Sequence, residues 1–96
     1  MRGRENEKML TKEEKNKLKN MVKENKTFHY AYVDRLRQEV RFYVNQCGSV
    51  SKAKESMEIL TFLYSLFSEK ELPEWYTTTD LEYDKKAIER LEQWAA

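Results

Sequence analysis

This chain offers little for the chemistries most easily read from a sequence. A single cysteine in 96 residues excludes an internal disulfide framework and any zinc site built on several thiolates. A single histidine leaves no H-E-x-x-H pair for a metalloprotease. Two glycines and one proline give few turn signals for β-hairpins and no glycine-rich phosphate loop. The longest apolar run, Ile59–Phe67, spans nine residues and is broken by Thr61 and Ser65, whereas a membrane span needs about 18. The opening residues Met1 to Lys8 lack the apolar stretch of a secretory signal. Net charge is +1, so no overall sign points to nucleic acid or membrane. These absences predict a small, soluble, cytoplasmic protein with no membrane partner and no cofactor.

What is present is helical and aromatic. The chain is one domain in length, 40% hydrophobic and 36% charged, with two Trp, six Tyr and four Phe. That aromatic content supports a folded core, though a small one. Charge is uneven: residues 1–26 hold nine basic and five acidic residues, and 71–96 hold three basic and seven acidic. The ends therefore carry +4 and −4, able to attract each other or separate partners.

The fold class expected is all-α, a single-domain bundle of about four helices over 1–96, with 1–10 a flexible tail. The first helix runs from Thr11 to Asn25, opened by a capping box of Thr11 and Glu14. The second runs from Thr27 or Phe28 to Gln46, with Gly48 as the left-handed residue that ends it. A third starts at Ser49 or Ser51 and reaches Lys70, before Pro73. A fourth opens at the box-like Thr79-Asp-Leu-Glu82 and reaches Trp94.

At 100° per residue, Tyr32, Val33, Leu36, Val40, Tyr43, Val44 and Cys47 share one face of the second helix. Tyr83, Trp94, Ala87, Leu91, Ile88 and Leu81 form a stripe on the fourth. The third is apolar over half its circumference and is the expected hub. The first offers only Leu18, Met21 and Val22.

Catalysis is not expected. His29 and Cys47 share a helix face, but 18 residues at 1.5 Å each separate them by about 27 Å, beyond any nucleophile–base contact. Both read as packed core side chains. Asp80 and Asp84 stand one turn apart, with Asp80 a helix cap and Asp84 oddly placed inside an apolar arc. No combination of nucleophile, base and pocket emerges.

Val44–Met57, with Gly48, Ser49, Ala53 and Met57, resembles the first half of the helix-turn-helix of LysR-type transcription regulators. There a turn and a polar recognition helix follow. Here Glu58-Ile-Leu-Thr-Phe-Leu-Tyr continues without a turn and with few side chains able to read bases. The shared feature is helix-start chemistry, and no family is recognised.

Two features point to binding. Phe62 projects among Glu55, Glu58, Ser65 and Glu69. Phe28 and Phe42 lie off the main stripe of the second helix beside Arg35, and Trp75 and Tyr76 occupy a connection. Aromatics with nearby Arg are interface chemistry. Phe62, Phe28, Phe42, Arg35, Trp75 and Tyr76 are therefore the expected contacts for a protein partner or a second copy. The alternative is nucleic acid, held by Lys12, Lys15, Lys19, Lys23 and Lys26, which follow one edge of the first helix over roughly 22 Å.

Overall fold

Thr11 opens the first helix as its spacing to Glu14 predicts. The Thr11 hydroxyl accepts the Glu14 amide at 3.1 Å, and Glu14 returns a carboxylate to the Thr11 amide at 2.9 Å. In the computed structural model, which describes residues 10–95, α1 spans Lys12–Glu24 and α2 Lys26–Phe42. α3 spans Val50–Ser65 and α4 Thr78–Ala95. The fold is an all-α bundle, with no strand among the described residues. Nine residues of the expected flexible tail, 1–9, lie outside the described residues; Leu10 is half-buried.

One residue joins α1 to α2. Asn25 is extended (φ −141°, ψ 97°) and caps both helices. Its N–H bonds the Met21 carbonyl at 3.2 Å, and its side chain accepts the Phe28 amide at 3.0 Å. Lys26 consequently opens α2 rather than closing α1.

The end of α2 differs from expectation. Tyr43–Cys47 widens into a π-helical turn before Gly48, left-handed at φ 61°, ends it. Bonds from i to i+5 rotate each residue less than an α-helix does. The wheel thus loses phase, and Cys47, expected in the core, is exposed.

α3 starts at Ser49, whose hydroxyl accepts the Lys52 amide, but stops at Ser65 and not at Lys70. The Leu66 and Phe67 amides fold back to Leu63 and Tyr64 in tighter i−3 bonds at 3.2 Å. Ser68 then caps a short 3₁₀ turn, Glu69–Glu71. α4 begins earlier than expected. Thr77 and Asp80 exchange amide–side-chain bonds at 2.9 and 3.3 Å, so the capping box lies two residues before Thr79–Glu82.

α3 is the hub, packed most extensively on α2, then α4, and least on α1. The core joins Val22, Val33, Leu36, Val40, Ala53, Met57, Leu60, Leu63, Tyr64, Phe67, Tyr76, Leu81 and Ile88. His29 is buried as expected. Its Nε2–H donates to the Leu63 carbonyl at 2.7 Å, and its ring stacks on Phe67 at 3.8 Å. The imidazole thereby adds a second donor to a carbonyl in the last turn of α3, beside the Leu66 amide.

Candidate functional site: the cleft between α2 and α4

α4 uses only one edge of its apolar stripe against the bundle. Leu81, Asp84 and Ile88 are buried, whereas Tyr83 is 61% and Trp94 87% exposed. On the wheel those two aromatics lie about 120–140° from Ile88, too far round to reach α3. A cleft of about 460 Å³ opens beside Tyr83. Val40, Arg41, Val44 and Asn45 form one wall, and Asp80, Tyr83, Asp84 and Ala87 the other.

The cleft floor is a buried polar network. Asp84 accepts the Arg41 Nε–H at 3.2 Å and an Nη2–H at 3.4 Å. It also accepts the Tyr76 hydroxyl, whose ring is fully enclosed. The Tyr76 carbonyl takes the Tyr64 hydroxyl at 2.9 Å. This explains an aspartate inside an apolar arc: three donor contacts reach its two oxygens.

Electrostatics follow from that geometry. Burial, reinforced by the Asp84 carboxylate, pushes the Tyr76 phenol far above its ordinary range. Desolvation works against the Arg41 charge, but the hydrogen bond and charge of Asp84 outweigh it and raise the guanidinium. The backbone N–H of Thr77 holds Asp80 below the ordinary carboxylate value. The site presents fixed charges and apolar walls. No group of three metal-ligating side chains occurs among the described residues.

The residues read as an interface do not form one surface. Tyr76 is core and presents nothing to a partner. Phe62 is half-buried against the core, with the Lys15 ammonium 5.8 Å from its ring centroid, so α1 covers it in part. Phe28 is half-buried and packs its ring 5.3 Å from Tyr32. Phe42 is 52% exposed at the far end of α2, about 21 Å along the axis from Phe28. Arg35 is exposed and paired with Glu39 at 3.2 Å. Trp75 is 44% exposed under the Arg37 guanidinium, 5.1 Å from its ring.

The lysine row also divides. Lys12, Lys15, Lys19 and Lys23 remain on α1, while Lys26 sits on α2 and pairs with Glu71. Tyr83 and Arg41 line the cleft, and Trp94 stands exposed further along α4, without having been singled out from sequence as contacts. The available signals were the misplaced Asp84 and a fourth-helix stripe too wide for one contact.

His29 and Cys47 are not brought together: one is buried in the first turn of α2, the other exposed beyond its last. No helix among the described residues is long and apolar enough to cross a membrane. Neither protein-family models, nor curated proteins, nor solved structures give a match to this chain.

Proposed function

We propose that this chain acts without catalysis, by binding another protein through the outer face of α4 and the cleft beside it. The observation that carries the reading is the exposure of Tyr83 and Trp94, 61% and 87%, on one face of a well-packed helix. Burying an aromatic of this kind contributes roughly 1.5–3 kcal/mol, and such anchors dominate binding energies. Arg41 and Arg90 beside them supply the guanidinium chemistry that accompanies aromatics at interfaces. Phe42 and Trp75 remain available as outlying contacts.

The test is a photo-crosslinking residue at position 83, with a control at the exposed Lys17 of α1, in the cells that naturally make the protein. Covalent adducts to protein are expected from position 83, absent from position 17, and lost with Trp94→Ser. Failure to form adducts at 83, or adducts indifferent to Trp94→Ser, overturns the reading.

A second reading has one observation in its favour. Lys12, Lys19 and Lys23 are exposed and make no ion pair among the described residues. A row of this kind can release counterions from a nucleic-acid backbone. Retardation of DNA or RNA at about 50 mM salt, abolished by Gln at those three positions, supports it. Absence of retardation there removes it.

A further inference from the structure

The two walls of the cleft carry opposite charges that do not meet. Arg41 stands on the α2 wall and Asp80 on the α4 wall, and the ion pair of Arg41 is made with Asp84 instead. The two lie close enough for each to favour the charged form of the other.

Both groups are held in place by the protein. The Arg41 Nε and Nη2 are tied to Asp84, which leaves the Nη1–Nη2 edge of the fork without a protein acceptor among the described residues. The Asp80 Oδ2 takes the Thr77 amide and hydroxyl at 2.9 and 3.1 Å, and its Oδ1 has no donor among the described residues. Apolar groups complete the lining, with Val40 and Val44 on one wall and Ala87 and the Tyr83 ring on the other. Val44 and Asn45 enter from the π-helical turn Tyr43–Cys47, and π turns recur at functional sites.

We propose that the cleft between α2 and α4 binds a free apolar α-amino acid, its carboxylate on Arg41, its ammonium on Asp80 and its side chain against Val40, Val44 and Tyr83. A cation alone is repelled by Arg41, and a carboxylate alone by Asp80. A zwitterion meets an opposite charge on each wall. The free guanidinium edge suits a carboxylate bidentately, and the Asn45 amide, one turn on, offers both a donor and an acceptor. A volume of about 460 Å³ falls within the roughly 300–1,000 Å³ of small-molecule sites. In a peptide the two terminal charges sit on different residues, so the ligand is a free amino acid and not a chain end. This inference goes beyond protein binding and does not depend on it, since Trp94 stands outside the lining.

Titrating L-phenylalanine into the isotopically labelled full chain, with amide chemical shifts as the readout, tests the proposal. Saturable shifts are expected at Asn45, Tyr83 and Ala87 below about 20 mM ligand. Phenethylamine, which lacks the carboxylate, and hydrocinnamate, which lacks the ammonium, should each bind at least tenfold more weakly. Asp80→Asn removes the charge and keeps an oxygen for the Thr77 amide, so it should weaken L-phenylalanine at least tenfold with little change in melting temperature. Absence of saturable shifts, shifts confined to residues outside the cleft, either analogue binding as tightly as L-phenylalanine, or undiminished binding by Asp80→Asn overturns the proposal. The three wild-type titrations decide the matter without the variant, should it not fold. Trp94→Ser should leave this binding unchanged while removing the adducts from position 83, so the two readings fail separately.

Discussion

The two ends of α2 are anchored by opposite chemistry. At its first turn, His29 donates a single hydrogen bond to the Leu63 carbonyl and stacks on Phe67. At its last, Arg41 holds the buried carboxylate of Asp84 together with Tyr76. The His29 contact finishes a helix end and leaves Leu63 a second partner, the Leu66 amide at 3.2 Å. The ionic contact has no spare partner of that kind, and its members depend on one another. A buried charge tolerates the loss of its counterion poorly, so the C-terminal end should be the more brittle.

The largest effect is therefore expected from Arg41→Ala, which leaves Asp84 buried with only the Tyr76 hydroxyl. A loss of about 2–3 kcal/mol in urea unfolding is expected, discounted from a fully buried pair because the Arg41 side chain is 41% exposed. Replacing the whole network, Arg41→Met with Tyr76→Phe and Asp84→Leu, should lose less than Arg41→Ala alone. A triple variant less stable than Arg41→Ala would show that an unpaired Asp84 is not what makes this end brittle.

His29→Ala comes next, at about 2 kcal/mol, most of it lost ring packing. His29→Phe separates the two contributions. It keeps an aromatic against Phe67 and removes only the donor, so about 1 kcal/mol should remain. Equal losses in the two variants would mean that the hydrogen bond, and not the stack, holds this end.

Removing one hydroxyl probes the other end more gently. Tyr76→Phe keeps the enclosed ring and the two Arg41 bonds to Asp84, at a cost of about 1–2 kcal/mol by thermal unfolding. Combined with Arg41→Ala, the loss should exceed the sum of the singles, because Asp84 is then stripped of every donor named here. Strict additivity would show that the network does not act as a unit.

The same contrast explains what was legible in the sequence. Features set by neighbours in the chain could be read: the Thr11–Glu14 box, Ser49 as a cap, and Gly48 at positive φ. So could burial of His29, which follows from its place on the wheel. Features set across the fold could not. α3 stops at Ser65 where His29 reaches its Leu63 carbonyl and the chain turns toward Tyr30, whose hydroxyl binds the Glu71 carbonyl at 2.6 Å. Cys47 leaves the core because a π turn breaks the 100° rule on which its assignment depended. Tyr76 read as a loop aromatic because its partners, Tyr64 and Asp84, come from two different helices. Asp84 was the visible clue, an acid among apolar residues, but a wheel cannot say which cation meets it. Tyr83 and Trp94 belong to the apolar stripe of the fourth helix yet stand exposed, because a stripe shows which residues are apolar and not how much of it a neighbour covers.

The smallest effect concerns the surface beside the first anchor. Lys26, at the start of α2, bonds the Glu71 carboxylate, and the Ser68 amide adds a second donor at 2.9 Å. Together they hold Glu71 down at about 2, against about 4.3 for a free glutamate. A carboxylate with a depressed folded-state value releases its proton more readily folded than unfolded. Its stabilising contribution is thus fully present above the unfolded value and is lost as pH falls through 4 toward 2. Glu71→Gln should leave the melting temperature at pH 7 nearly unchanged, since the pair is solvent-exposed and screened. Its acid limb between about pH 4.5 and 2 should be shallower than that of the wild type. Parallel acid limbs for the two proteins would show that Lys26 and Ser68 do not hold this carboxylate in solution, and that the first turn of α2 is anchored by His29 and Tyr30 alone.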